Sequence, residues 1–326
     1  MLFKKAFIDQ MNLLGSNREP FLFIIDFEGI SPIICRLAEI PASIRFTLPG
    51  SIQETRAASE KDHVVLHRHP MPYPKYLEAF KKVLTHLQQG NSYLVNLTFP
   101  TPVDTRLSME EIYELSEAPY KLLVKDRFVV FSPETFIRIK NGIISSYPMK
   151  GTIDASLPDP AKVVLDDPKE SAEHTTIVDL IRNDLSQVAS QVEVTRYRYI
   201  DKIRTHDKDI LQVSSEITGR LPDDYRQHIG TIMQTLLPAG SISGAPKKRT
   251  LEIIREAEGE PRGYYTGVFG IFDGQNLDSA VMIRFIEQSE KGLLYRSGGG
   301  ITNLSQPEAE YQEMLDKVYL QVTGDK

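Results

Sequence analysis

The residues of this 326-residue chain best suited to chemistry are one lysine and four glutamates. Lys150 lies in Ser146-Tyr147-Pro148-Met149-Lys150-Gly151-Thr152, after the short apolar run Gly142-Ile143-Ile144. Pro148 and Gly151 interrupt regular structure on either side of it, so the spacing predicts a loop that presents one amine at a fixed place. An ordinary exposed loop lysine has the same signature. Glu170 and Glu173, and again Glu310 and Glu313, are spaced i,i+3 on predicted helices, and residues at that spacing share a helix face. Two such pairs meeting across a cleft make an oxygen-rich site for a hard cation. Mg²⁺ suits it, because that ion takes one or two carboxylates, keeps waters and uses acidic substrate groups as further ligands. The competing reading is plain: Glu170 stands where a capping box wants an acid, and Glu310 and Glu313 flank an apolar stripe as solvated residues do.

Two further features could hold an anion. Arg284 interrupts the apolar strand pattern Ala280-Val281-Met282-Ile283-Arg284-Phe285. A cation there needs either an internal ion pair or a carboxylate ligand, and the planar fork of arginine suits the ligand. Gly298-Gly299-Gly300 either brings backbone N–H groups close to an anion or forms a glycine-rich hairpin. His63, His67 and His69 are spaced like metal ligands, but no carboxylate or cysteine joins them, and a solvated connector is the simpler reading.

Alternating and helical apolar patterns set these residues on elements. Phe21-Leu22-Phe23-Ile24-Ile25 and Ile33-Ile34-Cys35 read as strands, and residues 51–75 as a polar, Pro-rich connector. Leu77, Phe80, Val83, Leu84 and Leu87 recur at helical spacing up to Gly90; the run from Tyr93 to Phe99 follows as a strand. A short helix near 108–116 and a strand from Phe128 to Phe131 lead into Ser132-Pro133-Glu134. Asp167 is a predicted N-cap, with Pro168 and Glu170 behind it, for a helix whose apolar face is Ile177, Leu180, Ile181, Leu185 and Val188. Residues 191–220 read as strands, 223–237 and 247–258 as helices, and 238–246 as irregular. Strands near 267–272 and 279–286 precede the glycines. Ser305 and Glu308 have capping-box spacing for a last helix that buries Tyr311, Met314, Leu315, Val318 and Val322.

Composition narrows the function classes. The length and a hydrophobic fraction of 41% allow a large core, in one big domain or two ordinary ones. A formal charge of -6 without a long basic run argues against nucleic acid as a partner. No apolar stretch reaches membrane length, and the residues after Met1 make a poor signal peptide, so a cytoplasmic protein with no membrane partner is expected. Cys35 reads as a packed thiol. There is no nucleophile elbow, P-loop or CxxC motif, and no visible nucleophile for hydrolysing glutamine.

The ordered set of motifs resembles the chorismate-utilising enzymes, and within them the synthase subunits (component I) of aminodeoxychorismate synthase. The motifs are Pro148-Met149-Lys150-Gly151-Thr152; Lys169-Glu170-Ser171-Ala172-Glu173-His174; Pro238-Ala239-Gly240-Ser241-Ile242-Ser243-Gly244-Ala245-Pro246; Arg262-Gly263-Tyr264-Tyr265-Thr266-Gly267; Ile283-Arg284; Gly298-Gly299-Gly300-Ile301; and Glu310-Tyr311-Gln312-Glu313. They run from about residue 75 to 322. The resemblance implies one α/β (α+β) domain over residues 1–326, a large sandwich of mostly antiparallel sheets with outer helices. Residues 76–322 would be its catalytic core, and 1–75 a short extension without an evident tryptophan pocket.

It also implies roles. Lys150 would attack C2 of chorismate and expel the C4 hydroxyl, with Glu134 as the acid, before ammonia adds at C4; this needs the neutral amine, hence a lowered pKa. Glu170, Glu173, Glu310 and Glu313 would hold Mg²⁺. Arg284, Tyr265, Lys317 and the backbone at Gly298 and Gly300 would hold the substrate carboxylates, and Thr152 would touch the substrate. Anthranilate synthases usually carry alanine in place of Lys150 and histidine in place of Gln212. Leu94 replaces the water-activating lysine of isochorismate and salicylate synthases, and also departs from the glutamine common in amino-transferring members. The implied activity is chorismate amination to 4-amino-4-deoxychorismate, in p-aminobenzoate and folate biosynthesis, with a glutamine amidotransferase subunit supplying ammonia. The alternatives are an anthranilate synthase component I and a non-catalytic chorismate-binding protein.

Overall fold

The structure, a computed structural model, describes residues 4–50, 65–204 and 209–320, apart from the side chains of Thr152, Lys169, Ile203 and Arg204. His63 and Val322 lie outside the described residues. Two antiparallel sheets form the body. The first has nine strands, in the spatial order Met149–Asp154, Asp209–Arg220, Ile143–Ser146, Thr135–Lys140, Leu277–Val281, Val268–Phe272, Phe21–Ile25 and Ile33–Arg36, with Ser190–Arg204 along the other side of Asp209–Arg220. The second has eight, in the order Gly244–Ala245, Leu94–Asp104, Gly292–Ile301, Phe285–Ser289, Phe128–Ser132, Tyr120–Val124 and Ile44–Thr47, with His67–Arg68 paired to Leu94–Asp104. The expected sandwich with outer helices is therefore present.

Strand alternation explains how the layers close. All five residues of Phe21–Ile25 are buried. Leu22 and Ile24 enter an inter-sheet core with Leu122, Val130 and Phe285, whereas Phe21, Phe23 and Ile25 pack on the opposite face with Phe7, Met11, Ile229 and Met233 from the helices Lys5–Ser16 and Ile229–Leu236. A third cluster joins the helix Met109–Leu115 to Val129, Phe131 and Tyr295 on the outside of the second sheet.

Four local expectations change. Lys150 is in a strand, not a loop. Met149–Asp154 pairs with Asp209–Arg220, and a register shift between Met149 and Thr152 makes the Lys150 segment a bulge, which Gly151 accommodates at φ +91°. The pattern over 279–286 is two strands: Leu277–Val281 belongs to the first sheet and Phe285–Ser289 to the second, and the chain crosses between them at Met282–Arg284, with Arg284 at φ +52°. The triple glycine is extended strand within Gly292–Ile301, paired with Leu94–Asp104, so it is neither a nest nor a hairpin turn. The last helix, Pro307–Asp316, starts from Gln306 without a side-chain cap; Ser305 Oγ instead accepts a bond from Thr302 N, and Glu308 accepts one from Tyr73. The helix Pro168–Leu185 does start as expected, with Asp167 accepting from Glu170 N at 2.9 Å. His69 contacts Asp104 at the surface, 2.6 Å away, and no group of histidine, cysteine or acidic residues able to hold a metal forms there among the described residues. Among those residues no helix is long and apolar enough to cross a membrane.

Candidate active site

The candidate site lies where the chain passes from one sheet to the other. Pro133 and Glu134 join Phe128–Ser132 of the second sheet to Thr135–Lys140 of the first, and Met282–Arg284 makes the return crossing. The crossings hold each other: Val281 N donates to Glu134 O, and Phe131 N donates to Arg284 O, both at 3.1 Å. A cavity of about 160 Å³ opens beside them, lined by Lys150, Glu134, Glu173, Tyr265, Arg284, Gly298, Gly300 and Lys317. Eight of the residues singled out by sequence thus share one space. Leu94 lines it too; Gln212 does not, and lies across the strand pair from Thr152.

The helix Pro168–Leu185 packs over the Lys150 strand and turns Glu173 and Ile177, one helical turn apart, into the cavity. Lys150 Nζ meets Glu173 Oε2 at 2.7 Å. Burial alone would lower the basicity of this lysine. The Glu173 carboxylate outweighs it, with Glu313 and Glu170 adding to the effect, so Lys150 is held above its ordinary pKa. This reverses the lowered pKa expected for a free nucleophile: as it stands, Lys150 is an ammonium with its proton acceptor already in contact.

Glu134 has the opposite environment. Burial pushes its carboxyl up from the usual range, against the bond from Ser241 Oγ to Oε1 at 2.5 Å and the charges of Arg284 and Lys317. Lys317 donates to Gly298 O at 2.8 Å and to Glu313 Oε1 at 2.7 Å, and burial lowers its pKa. Burial also pushes the Tyr265 hydroxyl up to about 12, keeping it a neutral donor. The strand partner Phe285–Ser289 ends opposite Arg296, so beyond that point Gly292–Ile301 presents an open edge. Gly298 turns its carbonyl to that edge, and Gly300, two residues on, shares its orientation. Lys150, Arg284, Arg296 and Lys317 make the cavity a cationic patch in a chain of net charge -6.

Glu170, Glu310 and Glu313 stand behind the lining rather than in it. A β-carbon at Gly299 would lie 3.4 Å from both Glu310 Oε2 and Glu313 Oε1, and one at Gly151 would lie 3.3 Å from Glu170 Oε2. Glycine at these two positions leaves the carboxylates room. Among the described residues no three acidic side chains converge into a ready-made metal cage. The donor set still fits Mg²⁺, which is held by few carboxylates together with water and substrate oxygens. The Thr152 side chain is outside what the structure describes.

Sequence reasoning missed four residues here. Arg296 lines the cavity while bonded to Glu287 at 2.6 Å, and its place in an apolar strand before the glycines is the same signal that marked Arg284. Ser241 was inside a quoted motif but had no role. Asn96 and Thr266 also line the cavity, and Thr266 at φ +59° is an uncommon conformation for a β-branched residue. No local pattern announces that.

Two antiparallel sheets meeting at a cationic cleft with a buried carboxyl acid define a site for a small anionic molecule. Residues 16–322 match the chorismate binding enzyme family, and the chain belongs to that family. An uncharacterized PabA-like protein of Pasteurella multocida is 54% identical over 320 residues, covering 97% of this chain and 98% of that protein. Aminodeoxychorismate synthase component 1 of Salmonella typhimurium is 34% identical over 261 residues, covering 75% of this chain and 56% of the relative. Anthranilate synthase component 1 of Archaeoglobus fulgidus is also 34% identical, over 308 residues, covering 91% and 69%. The menaquinone-specific isochorismate synthase of Escherichia coli shares the fold, with a TM-score of 0.71 at 16% identity over 96% of this chain and 80% of that one.

Proposed function

We propose that the protein aminates chorismate at C4 to give 4-amino-4-deoxychorismate. The observation that carries the reading is Lys150, ion-paired with Glu173 in the cavity that also holds Glu134, Arg284, Tyr265 and Lys317. Arg284, Lys317 and the Tyr265 hydroxyl, with backbone N–H groups at Gly298 and Gly300, bind the two carboxylates. Glu173 takes the proton of Lys150, being the carboxylate in contact with it. The Lys150 nitrogen then bonds to C2, both ring double bonds shift along the ring toward C4, and the C4–O bond breaks; Glu134 gives its proton so that water leaves. Ammonia bonds to C4, both double bonds return to their original places, and the C2–N bond to Lys150 breaks. Mg²⁺ held through Glu170, Glu173, Glu310 and Glu313 would place positive charge against the ring carboxylate. A glutamine amidotransferase subunit is the proposed ammonia source, and a step toward p-aminobenzoate and folate in the cytoplasm the proposed setting.

The test is product analysis after incubating the protein with chorismate, Mg²⁺ and an ammonium salt. The expected product is aminated and keeps its enolpyruvyl ether. Anthranilate with pyruvate would move the chain to the other amino-transferring branch. Chorismate binding without turnover, with an amidotransferase partner present, would leave a binding protein.

A further inference from the structure

We propose that Arg262, which is not among the residues lining the cavity, positions the wall that carries Tyr265 and Arg284; its ligand rests on the chorismate reading above, its mechanism on geometry alone. Arg262 is 1% exposed, as deeply buried as the core aromatics. A guanidinium has five N–H donors, and here all five are used. Nε and NH2 grip both oxygens of Glu258, at 2.9 and 2.6 Å. The other NH2 donor reaches Asn96 O at 2.7 Å, and NH1 reaches Ile242 O at 2.9 Å and Thr266 Oγ1 at 3.3 Å. Asn96, Ile242 and Thr266 come from three separate segments, and all three line the cavity.

The grip is anchored on both sides. Glu258, the last residue of the helix Lys247–Glu258, also accepts from the backbone N and the hydroxyl of Thr98, so its carboxylate is held from a second side. The Arg262 backbone N donates to Glu28 Oε1 at 3.0 Å, and the guanidinium carbon lies 4.6 Å from the centre of the Phe27 ring.

Thr266 transmits the constraint. It holds φ +59°, a conformation that costs a β-branched residue free energy and persists only where the surroundings impose it. Arg262 contacts its hydroxyl, and the backbone is tied to the sheet crossing by Thr266 N to Met282 O and Met282 N to Gly267 O, both at 2.8 Å. Tyr265 immediately precedes this turn, and Arg284 follows Met282 by two residues. Arg262 thereby fixes the spacing of the two groups read as carboxylate ligands. It touches no substrate, so its role is positioning.

The test is Arg262→Lys, which keeps the charge but loses the fork and two donors. The variant is expected to keep its circular dichroism, while the Thr266 and Met282 amides exchange about tenfold faster than in the wild type. The KM for chorismate is expected to rise about tenfold, with kcat changed less than about threefold, because ground-state binding is what loosens. Unchanged exchange at both amides overturns the proposal. So does faster exchange with an unchanged KM, which would make Arg262 only structural. If Arg262→Lys does not fold, Thr266→Ala should raise KM and Thr266→Ser should restore it; equal KM values in the two overturn the proposal. A wild-type protein that neither binds nor turns over chorismate would sink the substrate reading, and amide exchange alone would then decide the role of Arg262.

Discussion

Replacing Glu134 by glutamine removes a proton donor and changes little else. The amide has the carboxyl's shape, and its oxygen can go on accepting from the Ser241 hydroxyl, which lies 2.5 Å from Oε1 in the wild type. Burial already pushes Glu134 toward its neutral form, so the variant adds no charge where the carboxyl is protonated. General acid catalysis by a placed side chain contributes about 10²- to 10⁴-fold, or about 2.7–5.5 kcal/mol of barrier. Glu134→Gln is expected to lower kcat by that factor with the KM for chorismate within about threefold of wild type. The acid works protonated, so wild-type activity holds below the raised pKa of Glu134 and falls as pH rises through it. Glu134→Gln lacks that alkaline limb. Ser241→Ala, which removes a bond that lowers the pKa, moves the limb to higher pH. Stability has the same sign. The folded state binds this proton more tightly than the unfolded chain, so stabilisation is lost as pH rises from the ordinary carboxyl range to the pKa of Glu134, and the variant gains on the wild type across that window. Steady-state kinetics and melting curves against pH measure both effects. A kcat within about threefold of wild type, or an alkaline limb surviving in Glu134→Gln, would refute Glu134 as the acid.

Three other substitutions probe the surroundings. Gly299→Val places branched carbons against Glu310 and Glu313 and is expected to raise the Mg²⁺ needed for half-maximal activity about tenfold; an unchanged Mg²⁺ titration would detach that pair from the metal. Gly151→Ala puts a β-carbon at φ +91° and 3.3 Å from Glu170, costing about 1–3 kcal/mol of stability by thermal or denaturant unfolding; an unaltered melting temperature would mean that the bulge relaxes freely. Lys317→Met keeps the buried stem but loses the donor to Gly298, and about a tenfold rise in the KM for chorismate is expected, with kcat nearly constant. A fall in kcat alone would give Lys317 another role.

What sequence revealed divides along a physical line. Local chemistry was legible: Asp167 caps its helix, and the apolar run Phe21–Ile25 forms a strand. Anything depending on which sheet a strand joins was not. The apolar run around Arg284 looks the same whether it is one strand or a crossing between two sheets, because burial on either side calls for the same residues. The Lys150 bulge is similar: Pro148 and Gly151 signal a break, but only pairing with Asp209–Arg220 shows that strand resumes around it. Arg262 is the extreme case. Its partners Asn96, Ile242 and Thr266 are far apart in the chain, and a buried arginine in a loop motif carries no periodicity that would reveal them. The family motifs grouped the site residues before any geometry could; composition alone stops at a large core in one big domain or two ordinary ones.

The central claim is that Lys150 bonds covalently to the substrate, and it is tested most directly by intact and peptide mass spectrometry of protein quenched during turnover with chorismate and Mg²⁺, ammonia withheld. The prediction is an adduct on the peptide containing Lys150, discharged to aminated product when an ammonium salt is added, and absent in Lys150→Ala, which stays folded and does not aminate. Sustained amination by Lys150→Ala would contradict the account.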